Sequence, residues 1–176
     1  VVPNSGCGSW LLEPQSTNLL SYSEDFSQWN QGGNIAIQSG FLAPDGSLNA
    51  FKVTCSDNSG LIYESGVLTN TVRTIYARTV SGTGTVQLLS HNANTNNTFN
   101  LTEDWQRFEV NSTPNVSATY YAVDFRGSST LSEVILWGAN ATNDQDYATS
   151  YIPTSGASST RLADIATNSG NASLIN

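Results

Sequence analysis

Side chains that could bind a sugar recur on the central strands expected from this sequence. A pyranose ring has an apolar C–H face and a rim of hydroxyls, so a sugar site combines an aromatic ring with amide, carboxylate or guanidinium groups. Successive residues of a strand point to opposite faces, so polar and aromatic residues that alternate with apolar ones share a face. The alternative is that the tyrosines only cover the sheet or pack against a neighbouring subunit. The pattern predicts one ligand-binding patch of six residues: Tyr76, Arg78, Gln87, His91, Tyr120 and Asp124.

Residue types suited to catalysis are few and scattered. His91 is the single histidine, and no serine lies in a Gly-x-Ser-x-Gly turn of the kind that exposes a nucleophile. Acidic pairs occur at 24–25, 103–104 and 144/146. Adjacent residues on a strand point to opposite faces, so the first two pairs do not converge unless a turn holds them. We therefore predict that the chain is not an enzyme.

The charge balance restricts the class of partner. The 176 residues include 14 acidic and 6 basic side chains, which give a formal charge of −8. This charge repels nucleic-acid backbones and anionic membranes, and no apolar run approaches the ~20 residues of a membrane span. Only 11% of the residues are charged, and Ser, Thr, Asn and Gly dominate the polar remainder. We predict no nucleic-acid partner, no membrane insertion, and an extracellular or virion location.

The two cysteines, Cys7 and Cys55, allow two interpretations. They could form one disulfide that fixes the N-terminal segment, or both could be free and buried. No Cys/His cluster is present to bind zinc.

Short runs rich in Val, Ile, Thr, Tyr and Phe alternate with turns of Gly, Asn, Asp, Ser and Pro, and no 3.6-residue apolar period is sustained. This pattern predicts an all-β fold, an antiparallel β-sandwich. Residues 1–11 are expected to be a lead-in, 12–153 the sandwich domain, and 154–176 a linker or the start of another domain. Nine strands are predicted, at 34–39, 50–54, 60–64, 71–80, 85–90, 98–101, 106–111, 119–125 and 133–139.

Motifs at both ends of the chain resemble a known family. The segment 18–20 reads Asn-Leu-Leu and is followed by an acidic turn and Trp29, while 136–139 reads Leu-Trp-Gly-Ala. In this order they resemble the jelly-roll carbohydrate-binding modules, over roughly residues 12–161. The Leu-Glu-Pro-Gln lead at 12–15 and the close at 147–154, Tyr-Ala-Thr-Ser-Tyr-Ile-Pro-Thr, resemble the version of this module in bacteriophage tail fibres and virion appendages.

The resemblance implies a non-catalytic module on the virion surface that binds a host cell-surface polysaccharide during adsorption. It also implies other virion subunits as partners and a homotrimer. Two alternatives remain: a structural spacer or oligomerisation domain of a fibre, and the binding module of a secreted polysaccharide-degrading enzyme.

The resemblance also implies roles for particular side chains. Trp29, Trp105 and Trp137 are expected to fill the space between the sheets. Related modules hold a structural calcium ion with carboxylates near the first strand. The matching residues are Glu24 or Asp25, together with Asp45 or Ser47, unless these are ordinary turn acids.

Overall fold

The computed structural model describes residues 12–65, 71–89, 97–110 and 120–165. Within these ranges no helix is long and apolar enough to cross a bilayer. The elements are a 3₁₀ turn at Phe26–Gln28 and twelve strands: β1 (Ser16–Asn18), β2 (Asn30–Gly32), β3 (Ala36–Phe41), β4 (Ala50–Thr54), β5 (Leu61–Ser65), β6 (Val72–Arg78), β7 (Gly84–Leu88), β8 (Thr98–Leu101), β9 (Gln106–Val110), β10 (Tyr120–Asp124), β11 (Glu133–Thr142) and β12 (Ser159–Arg161).

Ten of these strands form two five-stranded antiparallel sheets. The first sheet has the order β2-β5-β10-β7-β8, and the second has the order β3-β4-β11-β6-β9. The chain passes repeatedly from one sheet to the other, which confirms the predicted antiparallel jelly-roll sandwich. Nine of the strands match predicted ones; β1, β2 and β12 have three residues each, too few for an alternating pattern to show.

The hydrophobic core lies between the two sheets. Ile75 and Ala77 of β6 are fully buried there, as are Tyr121 and Val123 of β10. Side chains two residues apart share a face, so each strand contributes every second residue to this layer. Val86 and Leu88 of β7 are buried in the same layer, so the expected alternation of inward apolar residues with outward-facing ones is confirmed for β6, β7 and β10. Burial of each large apolar side chain contributes roughly 1.5–3 kcal/mol.

Cys55, directly after β4, is fully buried and forms no disulfide within the described ranges. The backbone N–H of Gly60 donates to its Sγ at 3.2 Å, and Sγ lies 3.4 Å from Asp57 Oδ1. The disulfide alternative involves Cys7, which lies outside the described residues.

The C-terminal segment is part of the folded domain as far as the last described strand. β12 pairs antiparallel with β1, with Ser16 opposite Arg161. The N–H of Gly156 donates to Ser21 O at 2.8 Å. The prediction of a linker from residue 154 is therefore wrong for 154–161, because a small, polar composition does not prevent backbone pairing with a distant strand. The predicted lead-in at 1–11 lies outside the described residues.

A polar clip closes the β1–β12 end of the sandwich. Glu13 forms an ion pair with Arg161 and accepts the N–H of Ser150 at 2.9 Å. Partial burial disfavours its ionisation, but hydrogen bonds from Ser150 and the charge of Arg161 outweigh this and hold the pKa of Glu13 below its usual 4.5. The ionised carboxylate therefore stabilises the fold above about pH 4.5, and this contribution is lost as the pH falls through the lowered pKa.

Replacing Glu13 with glutamine is expected to lower the thermal unfolding midpoint at about pH 7 and to change it little at about pH 3, where Glu13 of the unfolded chain is protonated. Thermal scans across this pH range measure the difference. Glu109→Gln removes an exposed carboxylate and serves as the control, with little effect at either pH. An equal effect of Glu13→Gln at both pH values would contradict the electrostatic role.

Candidate functional site

The structure divides the predicted six-residue patch between two faces. Tyr76 and Arg78 lie on β6 of the second sheet, whereas Gln87, Tyr120 and Asp124 lie on β7 and β10 of the first. All five point away from the core, so the two groups lie on opposite sides of the sandwich. The single patch is therefore wrong: alternation along a strand assigns the face of each residue, but not the sheet that the strand joins.

On the first sheet, two of the predicted residues hold a neighbouring loop. Asp124 is 3% exposed and forms an ion pair with Arg126 at 2.7 Å. The Nε2 of Gln87 donates to Arg126 O at 2.7 Å. Tyr120 meets Tyr63 edge-on, with ring centroids 4.8 Å apart. This tyrosine pair forms an aromatic surface on the outer face of the first sheet, and ligand binding by Gln87, Tyr120 and Asp124 stays a prediction.

The outer face of the second sheet carries a larger group of aromatic and basic side chains. Cross-strand register places Lys52, Ile135 and Arg78 in one row and Trp137, Tyr76 and Arg107 in the next. We call this surface the aromatic face; its residues are Phe41, Lys52, Tyr76, Arg78, Trp105, Arg107, Ile135 and Trp137.

Two of the three tryptophans predicted to fill the core lie instead on the aromatic face. Trp29 is 3% exposed within the core, as predicted. Trp105 and Trp137 belong to a second apolar cluster, on the outer side of the second sheet. The sequence contains a signal of this: β11 is apolar without alternation, which is typical of a strand covered on both faces.

Trp137 forms the fixed floor of the aromatic face. It is 7% exposed, and its Nε1–H donates to Asn49 Oδ1 at 3.0 Å. Its ring meets Tyr76 at 5.3 Å and Tyr151 at 4.8 Å between centroids. Gly138, in the bulge that follows, has φ +64°, and a Cβ there would lie 3.3 Å from the Tyr76 ring. Glycine thus allows the Tyr76 ring to approach the backbone closely.

Tyr151 covers one side of Trp137 and is itself held by two polar groups. Its hydroxyl lies 2.8 Å from Glu24 Oε1 and 2.6 Å from Ser23 Oγ. Burial, together with the Glu24 carboxylate and despite the Ser23 hydrogen bond, raises the pKa of Tyr151 far above its ordinary value. The phenol is therefore neutral and donates a hydrogen bond to Glu24.

Three aromatic rings of this face remain partly exposed, those of Phe41, Tyr76 and Trp105, and a basic side chain lies over each. Arg78 lies 5.4 Å from the Trp105 ring centroid, and Arg107 lies 5.7 Å from that of Tyr76. Lys52 lies 5.7 Å from the Phe41 ring in the same way. Flat apolar surfaces beside fixed N–H donors match the C–H face and the hydroxyl rim of a pyranose. The aromatic face can therefore hold a sugar chemically.

The three carboxylates predicted to bind calcium accept hydrogen bonds from groups of the protein itself. Asp25 Oδ1 accepts the N–H of Ser27 at 3.1 Å, and Asp45 Oδ1 accepts that of Ser47 at 2.9 Å. Glu24 accepts from Tyr151 and, at 2.6 Å, from Asn49. In the described ranges no three acidic, histidine or cysteine side chains converge as a metal site would require. These bonds fit ordinary turn acids, and the calcium ion stays a prediction.

Two members of the acidic pairs considered for catalysis accept backbone hydrogen bonds at a turn and at a strand. Glu103 accepts the N–H of Gly82 at 2.7 Å, and Asp144 accepts the N–H of Thr17 at 2.8 Å. His91 lies outside the described residues. Glu103 and Asp144 thus have structural partners.

No family model and no curated protein sequence matches the chain. A similar solved structure is the C-terminal family 22 carbohydrate-binding module of a Clostridium thermocellum xylanase, at 10% identity and TM-score 0.48, covering 74% of this chain and 96% of that one. Another is the N-terminal module of endo-1,4-β-D-xylanase 10B of the same organism joined to its catalytic module, with xylohexaose, at 14% identity and TM-score 0.47. That match covers 72% of this chain and only 27% of the xylanase chain.

A third similar structure is the enzymatically active domain of tailspike protein 4 of bacteriophage CBA120. It is 11% identical, with TM-score 0.41, and covers 70% of this chain and 21% of the tailspike chain. All three TM-scores lie below 0.5, so the fold assignment rests on the strand topology described above.

Proposed function

We propose that this chain is a non-catalytic module that binds a glycan along the aromatic face. The observation that carries the proposal is the juxtaposition of two partly exposed rings, Tyr76 on β6 and Trp105 just before the neighbouring β9, each with an arginine against it. An exposed ring with a fixed donor beside it can bind the two chemically different surfaces of a sugar at once. The outer face of the first sheet is the weaker candidate, because its Gln87 and Asp124 side chains are bonded to their own loop.

The dimensions of the aromatic face suit an oligosaccharide better than a single sugar. Its residues extend over all five strands of the second sheet, from Phe41 on β3 to Arg107 on β9. Four strand spacings of about 4.8 Å give a width of roughly 19 Å. Several linked sugar rings can lie on a surface of this width. The exposed side chains of Leu42 (56%) and Leu48 (70%) belong to the loop that follows β3 and add apolar area near its rim.

Affinity gel electrophoresis against soluble polysaccharides tests this function. The panel contains neutral polymers (xylan, mixed-linkage glucan, galactan) and acidic ones (glucuronoxylan, alginate, hyaluronan). We expect retardation by at least one polymer, and no release of reducing ends on long incubation. Migration unchanged by every polymer would overturn the proposal, and release of reducing ends would contradict the absence of catalysis.

A finer proposal is that the glycan lies on a host cell surface and that the module is carried, as a homotrimer, by a virion appendage. It is supported by the tail-fibre-like motifs at 12–15 and 147–154. Light scattering on the chain in solution tests the trimer, with three times the monomer mass as the expected result. A monomer at high concentration would contradict the trimer and leave glycan binding in place.

A further inference from the structure

We propose that the glycan recognised by the aromatic face carries carboxylate groups, and that Arg78 and Arg107 bind them. This inference rests on the proposed function and specifies its ligand. It concerns an acidic polysaccharide whose carboxylates are spaced by neutral sugars.

The positive charge of the chain is concentrated on this face. The whole sequence has 6 basic residues against 14 acidic ones. Lys52, Arg78 and Arg107, half of the basic residues, lie together on the aromatic face. A protein with excess negative charge gains nothing in solubility from such a cluster, so the cluster favours a ligand of opposite charge.

The two arginines also differ from the other basic residues in their partners. Lys52, Arg126 and Arg161 each pair with a carboxylate, and Arg73 is buried, where it donates to the carbonyl of Leu89.

Within the described part of the chain, Arg78 and Arg107 bond only neutral acceptors. Arg78 donates to Thr79 O at 3.2 Å, and Arg107 donates to Thr74 Oγ1 at 3.1 Å and Thr149 O at 2.5 Å. The Nε of Arg107 is buried and has no hydrogen-bond partner among the described residues. Their charge is therefore available to a ligand.

The geometry of the two guanidinium groups suits carboxylates. Tyr76 lies opposite Arg107 in the register of β6 and β9. Arg78 is two residues further along β6 and is therefore the diagonal neighbour of Arg107, with roughly 7–8 Å between the two positions. The Trp105 ring lies against the guanidinium of Arg78, and the Tyr76 ring lies against that of Arg107. These contacts limit the rotation of both guanidinium groups. Arg78 donates to Thr79 O through Nη1 only, so its other N–H groups can pair with the two oxygens of a carboxylate. Arg107, whose Nη2 already donates to Thr74 and Thr149, contributes its charge and its Nη1 donors.

Nearby acids determine which acidic glycan fits. Glu109 lies opposite Thr74 on the same face, and Glu133 pairs with Lys52. Together with the overall charge of −8, they repel a polymer with a charge on every sugar. Isolated carboxylates that reach Arg78 and Arg107 avoid this repulsion.

The test compares matched pairs of probes by affinity electrophoresis and calorimetry: glucuronoxylan and hyaluronan, each against its carboxyl-reduced form. We expect binding of at least one acidic polymer to exceed that of its reduced form by about tenfold. Dextran sulfate against dextran separates carboxylate recognition from a response to any polyanion, and retention by dextran sulfate equal to that by the acidic glycan would overturn the proposal.

Substitutions test whether the preference for the acidic polymer depends on Arg78. Arg78→Gln is expected to remove most of the preference for the acidic form, measured as the ratio of the affinities for the acidic and the reduced polymer. Arg78→Lys keeps the charge but loses the paired donors, so it restores the preference only in part. Arg126→Gln removes a positive charge from the opposite side and is the control, with thermal unfolding confirming that each variant is folded.

The outcomes separate this inference from the function on which it rests. Equal binding of acidic and reduced polymers, or an equal effect of Arg78→Gln and Arg126→Gln, would overturn carboxylate recognition and leave glycan binding intact. Absence of binding to every polymer, acidic or neutral, would overturn both.

Discussion

Replacing Asn18 with alanine is expected to lower the free energy of unfolding by about 3–5 kcal/mol. The amide of this fully buried residue donates to Ala139 O at 3.1 Å and to Ile152 O at 2.8 Å. Its Oδ1 accepts the N–H groups of Leu20 at 3.2 Å and Ala141 at 3.0 Å. Alanine leaves four backbone groups without these partners in the interior, where each unmet group costs roughly 1–3 kcal/mol before relaxation.

Chemical denaturation measures this loss. Asn18→Asp is expected to be destabilising as well, because a carboxylate cannot donate to the two carbonyls. Asn30→Ala, at an exposed position on β2, is the matched control, with a change within about 0.5 kcal/mol. A loss of unfolding free energy below about 1 kcal/mol in Asn18→Ala would show that the amide is not what holds β1 and the backbone at Ile152 against β11.

Replacing Trp105 with alanine is expected to weaken glycan binding by about 30-fold, equivalent to about 2 kcal/mol, the size typical of an aromatic residue central to an interface. The substitution removes one of the three partly exposed rings of the aromatic face and the surface beside Arg78. Because Trp105 lies outside the main core, the free energy of unfolding should change much less than for Asn18→Ala. Calorimetric titration with the best polymer of the panel measures the affinity.

Tyr63→Ala provides the control for this prediction. Tyr63 is also a partly exposed aromatic residue with a ring neighbour, but it lies on the outer face of the first sheet. We expect its replacement to leave the affinity unchanged. The reverse result, with loss in Tyr63→Ala and none in Trp105→Ala, would move the binding site to the first sheet, beside Tyr120.

The candidate site shows how far sequence pattern reaches. Tyr76 and Arg78 are predicted from their alternation with Ile75 and Ala77, and the structure places both on an outer face. Trp105 and Arg107 complete that face, but they come from β9 and the turn before it, about thirty residues later. The pattern around them gives no reason to join them to Tyr76, because the pairing of β6 with β9 is a long-range contact.

The sequence by itself determined the all-β class, nine of the strands and which side chains of each central strand enter the core. It could do so because turn chemistry and side-chain alternation act within a few residues. Only the tertiary structure decided that β6 and β7 belong to different sheets, that Trp137 and Trp105 cover an outer face, and that the segment after Pro153 returns to pair with β1. These features depend on hydrogen bonds and packing between residues far apart in the chain, which no local pattern encodes.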